Sequence, residues 1–408
     1  MSDTRSGRVT VSSPPHLLSI EAALALVLAH AQPLDPEPVV TADASGRVLA
    51  LDARAAVDLP PFDSSAMDGY AVQASDTPGQ LTVLGHSAAG RPSEEPLARG
   101  AAAVISTGAV VPDGADAVVP IERATLDGSS VTVERVSAGE HVRPRGGDAH
   151  AGDVVSHAGT RLGPAQIGAL AAAGIATVLC ARRPRIALLA TGTELRAPGT
   201  ELRPGEIYES NTILLAAQAV SAGATADVHA SVDDDPALTR AALERALAAD
   251  VVITSGGVSV GPHDLVRAAL VELGAEEVFW RVAVRPGKPV AFSTRGRTLV
   301  FGLPGNPVSA LVGFELFVRP ALLALQGASA PGPVYLPARL GTTVRQNANR
   351  DELLRARVRM DEHGAIVEPL GGQESHMIAR AASADALVLV PSGTGELAAG
   401  TPVRYLPI

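Results

Sequence analysis

Sulfur and lysine are almost missing from this chain. Cys180 is the one cysteine in 408 residues, so no internal disulfide can form and no thiolate cluster can hold zinc or an iron–sulfur centre. Any soft metal handled here must find its sulfur on the substrate. Aromatic residues are 3% of the chain, too few for base-stacking platforms. The formal charge of −10 excludes a general nucleic-acid binder, which needs a basic face. The ten histidines never fall at a zinc-ligand spacing such as H-E-x-x-H, and His263 and His376 read as surface or packing residues. MSDTRSGRVTVSSPPH has no apolar h-region, and the apolar run Ala22 to Ala29 is too short to span a bilayer. A cytoplasmic location with no membrane partner is the expectation. Every basic residue but Lys288 is arginine, so a compact point charge falls at a single position, inside PGKP, either by chance or because a guanidinium fork suits that place less well.

What is present is a soluble globular composition, 46% hydrophobic and 19% charged, long enough for two to four domains of roughly 100–200 residues. The organising stretch is Asp250 to Pro307. Three apolar runs, Val251 to Thr254, Val278 to Val284 and Leu299 to Leu303, each stop at a Gly- and Pro-rich loop and read as buried strands. HDLVRAALVELGA between the first two is helical and ends at Gly274. Strands alternating with helices predict a parallel sheet. Ligands then sit beyond the carboxyl ends of its strands.

Ahead of this stretch, Ser19 to Gln32 and Leu162 to Gly174 read as helices that pack together, with a β-rich unit between them. Helices are also expected from Tyr208 to Gly223, capped by ESNT, and from Val308 to Gln326. Pro236 suits the first turn of another, capped by the acidic run Asp233 to Asp235. The segment from Gly332 to Ile408 returns to short strands, a small barrel or sandwich. In a parallel sheet Glu194, the Asp233–Asp235 run, SGGVSVG (Ser255 to Gly261), Asp264, PGKP and GLPGNP share one edge. Glycine-rich turns at helix entries favour anions. Acidic loops beside them call for a bridging cation, and oxygen ligands predict Mg²⁺.

SAMDGYAV, STGA, VRPRGGD, TGTEL, TSGGVSVG, RPGKP and GLPGNPVSA occur in this order from about Ser19 to the C-terminus. With them the chain resembles the molybdopterin molybdenumtransferase family, to which the gephyrin E domain is related. The resemblance implies an α/β multidomain chain in four parts. These are a helical linker domain (16–35 and 152–182), a β-rich inserted domain (36–151), a three-layer α/β domain with a mostly parallel sheet (183–328) and a C-terminal β-barrel (329–408). It implies a homodimer with its active site at the subunit interface, and the upstream adenylyltransferase as a candidate partner.

Residue by residue, the resemblance makes Asp68, Thr107, Glu194, Asp234 and Asp264 the functional acids and hydroxyl, with Mg²⁺ on Glu194, Asp234 and Asp264. It assigns substrate binding to Arg143, Arg281, Arg285, Lys288, Pro304, Pro307 and Ser375, beside Ser255, Gly256, Gly257, Ser259 and Gly261 of the glycine-rich turn. The chain departs from the family pattern at Thr193, where many relatives have Asp, at Arg281 and Arg285, where some have Lys, and at ESH in place of GSH. The implied reaction is insertion of molybdenum from molybdate into adenylylated molybdopterin with release of AMP. Pterin adenylyl transfer, a non-enzymatic scaffold of the gephyrin type, and use of tungstate are the alternatives.

Overall fold

The structure is a computed structural model and describes residues 17–229, 235–256 and 265–408. Asp233, Asp234, Gly257, Ser259, Gly261, His263 and Asp264 lie outside the described residues. The chain forms two compact units, one running up to Pro36 and resuming at Ala181–Ile408, the other Glu37–Cys180.

The larger unit is built on a six-stranded sheet. Its strand order is Thr225–Val228, Arg185–Ala190, Val251–Ser255, Thr298–Leu303, Ala291–Arg295, Glu276–Trp280. The first four run parallel. Alternation along Arg185–Ala190 explains the three layers. Ile186 and Leu188 face a core with the helices Ile20–His30, Asn211–Ser221 and Pro307–Leu325. Ala187 and Leu189 face Ala242, Leu243, Val266 and Leu270 from Pro236–Ala246 and Leu265–Glu272 on the other side. Pro307–Leu325 has the length and apolarity to cross a membrane, but it is 83% buried inside the protein and serves as a core helix.

Three expectations are corrected here. The run Val278 to Val284 is two strands, because Arg281 takes a left-handed φ of 78° and ends the extension. Glu276–Trp280 stays in the α/β sheet, while Val284–Arg285 pairs with Asp351 and Glu352 of the barrel. The helix expected from Val308 to Gln326 carries a π-turn at Phe314–Val318. Pro320 has no N–H to continue the ladder and sits two residues beyond the wide segment. Lastly, the two early helices enter separate cores. Ile20–His30 buries Ile20, Ala23 and Val27 with Phe317 and Leu322, and Pro164–Ala172 buries Leu170 with Leu49, Leu162 and Cys180.

The C-terminal segment is a closed five-stranded barrel. Asp351–Asp361, Gly364–Pro369, Leu336–Leu340, Pro402–Pro407 and Ala386–Val390 follow one another, and the last pairs back with the first. Ala386, Val388 and Val390 point inward. Leu387 and Leu389 point outward into the core shared with the α/β sheet. Barrel and sheet are thereby joined by apolar burial. The Glu37–Cys180 unit carries its own six-stranded sheet, ordered Ala117–Pro120, Gly69–Val72, Ala101–Ile105, Gly79–Ser87, Ser130–Val133, Ala124–Asp127.

Candidate active site

Strand register decides where the loops go. Ala190 lies opposite Ser255, and Ser255 opposite Leu303. The three strands therefore end level, and TGTEL, SGG and GLPGNP begin at one height on the carboxyl edge. Small residues let them converge. A Cβ on Gly256, whose φ is +89°, would lie 3.1 Å from the Thr191 carbonyl oxygen, and one on Gly305 would lie 3.8 Å from Gly256 Cα. At Gly256, with its left-handed φ and tight approach, only glycine allows that backbone proximity without displacement. The Glu194 carboxylate folds back over Gly192, where a Cβ would meet Oε2 at 2.5 Å.

Between these loops opens a cavity of about 840 Å³. Glu194, Ser255, Gly256 and Pro307 line it, as do Thr191, Glu209, Asn211, Asn306 and His376. Two helix N-termini reach it, at Asn211 and at Pro307; the positive end at Pro307 favours an anion, while that at Asn211 already holds the Glu209 carboxylate. The Asn211–Ser221 helix is capped by Glu209 of the ESNT run. The buried Glu209 carboxylate accepts from the Thr212 backbone N–H at 2.9 Å and from the Thr212 hydroxyl, leaving Ser210 without a capping bond. On the rim, Leu195–Arg196 pairs with Ile207–Tyr208. Glu206 braces this ribbon. The Arg203 amide donates to it and Arg196 pairs with it at 2.6 Å, which holds its carboxyl below the usual carboxylate range.

The remaining expected residues of this unit sit elsewhere. Arg281 stacks its guanidinium 3.8 Å from the Trp280 ring centroid. Arg285 pairs with Glu352 of the barrel at 2.8 Å. Lys288 is exposed, and its carbonyl accepts from Val282 N. Pro304 is buried, and Ser375 offers its carbonyl to Val308 N at 3.0 Å. None of these five lines the cavity drawn by the described residues.

Within the Glu37–Cys180 unit, the three expected residues gather on one loop cluster. Asp68 Oδ1 accepts from the Thr107 backbone N–H at 2.8 Å, so the MDGY turn holds the STGA turn. Arg143 pairs with Ser64 across a short ribbon. Asp63, the other acid of that turn, accepts from Arg145 N at 2.7 Å. Asp58 takes Ala151 N at 2.8 Å and Arg145 Nε at 2.5 Å. Those bonds hold its carboxyl below the usual carboxylate range. Asp58 and Asp63 thus fix the loop, and Asp68, Thr107 and Arg143 are left exposed on it.

Sequence reasoning missed Asn211, Glu209, Asn306 and the lining role of His376. Asn211 and Glu209 were covered by the reading of ESNT as a helix cap. Asn306 lies inside GLPGNP, whose prolines took the emphasis.

As to a metal, no group of three or more His, Cys, Asp or Glu side chains is poised to hold one among the described residues. Cavity donors among the described residues are mostly oxygens, as from Glu194, Thr191 and Ser255, a set suited to Mg²⁺ over a softer ion.

Comparison with known proteins matches three family descriptions along the chain. They are the MoeA N-terminal region (domain I and II) over residues 18–174, a probable molybdopterin binding domain over 187–324, and the MoeA C-terminal region (domain IV) over 337–408. Molybdopterin molybdenumtransferase 2 of Mycobacterium tuberculosis is 40% identical, over 90% of this chain and 94% of that protein. The molybdopterin molybdenumtransferase of Haemophilus influenzae is 36% identical, over 92% and 94%. A crystal structure of a molybdopterin biosynthesis MoeA protein from Pyrococcus horikoshii superposes with a TM-score of 0.80 at 32% identity, covering 96% of this chain and 99% of that one. With motifs, fold and near full-length relatives in agreement, the chain belongs to the molybdopterin molybdenumtransferase family.

Proposed function

We propose that this protein inserts molybdenum from molybdate into adenylylated molybdopterin with Mg²⁺-dependent release of AMP, working in the cytoplasm as a homodimer with its active site at the subunit interface. The observation that carries the reading is the convergence of Glu194, Ser255, Gly256 and two helix N-termini on one cavity. Ser255, Gly256 and the Asn306 amide at the entry of the Pro307–Leu325 helix hold the phosphates of the substrate, since a helix-entry dipole favours negative charge and needs no lysine to do so. Glu194, with Asp234 and Asp264, would hold Mg²⁺, which neutralises phosphate charge when bound. Asp68, Thr107 and Arg143, fixed together on their loop cluster, orient water and molybdate at the proposed subunit interface. Arg281, Arg285, Lys288 and Ser375, which lie outside the described cavity, would contact the anion only after moving from those places, Arg285 by release from Glu352.

In this reaction one phosphorus–oxygen bond of the anhydride breaks, the elements of water add across it, and AMP leaves. Two dithiolene sulfurs replace one oxide of molybdate, which departs with two protons as water, and molybdenum keeps its oxidation state. A chain with a single cysteine, buried at Cys180, leaves that sulfur chemistry to the substrate. The test supplies adenylylated molybdopterin, Mg²⁺ and micromolar molybdate to the purified protein and follows AMP. Molybdate-stimulated AMP release is expected, and its absence sinks the reading. Upstream adenylyl transfer is the reaction class that must deliver this substrate, so its enzyme is the partner to test for hand-over.

A further inference from the structure

Asn211 opens the Asn211–Ser221 helix, lines the cavity and is only 8% exposed. Its Nδ2 donates to Ser255 Oγ and to the Gly305 carbonyl, each at 2.7 Å. A backbone carbonyl can only accept, so Gly305 dictates which end of the amide faces it. The amide therefore ties the end of the Val251–Ser255 strand to the GLPGNP turn, and its remaining atom is fixed as an acceptor. That atom, Oδ1, is buried and has no hydrogen-bond partner among the described residues. Buried polar atoms are nearly always satisfied, and in a residue lining a cavity the missing donor is one that an occupant can bring.

We propose that Asn211 is a substrate-binding residue whose Oδ1 accepts a hydrogen bond from a neutral N–H or O–H donor on the nucleoside or pterin portion of the occupant. The inference rests on the function proposed above and deepens it. Phosphate, molybdate and dithiolate are acceptors at neutral pH and cannot serve this atom. The donors such a substrate carries are the ring N–H and amino groups of the pterin, and the amino group and ribose hydroxyls of the adenosine. One amide then does two things. Its nitrogen end holds Ser255 and Gly305 in place for the anion, and its oxygen end reads the heterocyclic part.

The test titrates full-length wild type, Asn211→Ala and Asn211→Asp with two neutral probes, a phosphate-free tetrahydropterin and adenosine, by calorimetry without Mg²⁺ or molybdate. Neutral probes keep the added charge of the Asp variant from repelling the ligand. Alanine removes the acceptor, and about tenfold weaker binding of one probe is expected. Aspartate keeps an acceptor oxygen and loses both donors, so it should bind that probe within about threefold of wild type. The opposite ranking, with aspartate worse than alanine, reduces Asn211 to a brace for Ser255 and Gly305 and overturns the proposal. Equal affinity of all three proteins for both probes, or no binding of either probe to wild type, overturns it as well. If alanine does not fold, aspartate against wild type decides alone, a tenfold loss counting against. AMP release by wild type is scored separately, so the reaction can stand while this contact fails.

Discussion

Replacing Arg355 with methionine should unfasten the loop that brings His376 to the cavity. Arg355 lies on the Asp351–Asp361 barrel strand and is 1% exposed. Its guanidinium donates to the carbonyls of Met377 at 2.7 Å, Gly372 at 2.8 Å and Glu374 at 3.2 Å. Gln373 completes the clasp, accepting from Arg355 N at 3.0 Å and donating back to Arg355 O at 2.9 Å. No carboxylate is ion-paired with it among the described residues. Burial pushes the guanidinium below its ordinary value, yet loop carbonyls are what hold it.

Each hydrogen bond to a charged group is worth about 1.5–3 kcal/mol, and methionine removes four at similar volume, the longest being Nε to Gln373 Oε1 at 3.3 Å. Two effects reduce the sum. Residues 371, 374 and 376 are exposed, so water can reach some of the freed carbonyls, and removing a buried charge recovers its desolvation cost. A loss of about 2–4 kcal/mol remains. Lysine, with one compact ammonium, should lose about half of that. Urea unfolding of the full chain followed through the barrel gives the stability, and substrate KM in the AMP-release assay gives the functional arm. Both should worsen together, because Ser375 and His376 ride on the same loop. Stability within 0.5 kcal/mol of wild type, or a lost 3 kcal/mol with KM unchanged, would refute the linkage from guanidinium to loop to cavity.

Gly69→Ala should abolish folding of the Glu37–Cys180 unit or cost it more than about 3 kcal/mol, because a Cβ there would lie 2.0 Å from the Val119 carbonyl oxygen; a melting temperature near wild type contradicts this. Burial pushes the Asp250 carboxyl up, but the two Arg182 bonds at 2.7 Å and the Arg185 amide outweigh it and hold the group below the usual range. Its folded value is therefore the depressed one, and its stabilisation is fully present above the unfolded value of about 4 and lost as pH falls through the folded value. Asp250→Asn should cost about 1–3 kcal/mol at pH 7, with the gap to wild type closing below about pH 4 in urea midpoints; a gap that is constant from pH 7 to pH 3 rules the account out. Glu194→Gln should cut AMP release at least tenfold and raise the Mg²⁺ needed for half-maximal rate, while thermal stability stays within about 0.5 kcal/mol, since the side chain is exposed; an unchanged Mg²⁺ requirement removes Glu194 from the metal.

The parts that were legible are those in which local chemistry and tertiary context ask for the same thing. Ser19 caps Ile20–His30 through Ala22 N, and Asp235 caps Pro236–Ala246 through Leu238 N, as their side chains and the following Pro236 suggest. Apolar runs at Val251 and Leu299 became central strands because both their faces are covered. Val278 to Val284 looked equally continuous, but strand length is not written in hydrophobicity. Its division depends on Arg281 leaving the extended region and on Val284 finding a partner in the barrel some 65 residues further along the chain. Pairing of that range is invisible to a local pattern. The packing of the early helices failed for a related reason. Both are Ala- and Leu-rich, and composition says that a face will be buried without saying against which core.

The site shows the same division at finer grain. Glycine motifs announced their loops because close approach constrains the sequence directly, as at Gly256 of SGGVSVG. Asn211 made no such announcement. It enters the cavity from a helix start, where Asn, Ser and Thr are ordinary capping residues. Its meaning comes from the Gly305 carbonyl, 94 positions away, which takes up one end of the amide and frees the other. A usable signal does exist in hindsight. When an acid such as Glu209 already caps a helix by accepting from the Thr212 amide, a second polar residue two places later is not needed as its cap. Such a residue, buried beside a glycine-rich turn, is better read as a contact waiting for a ligand than as part of the helix.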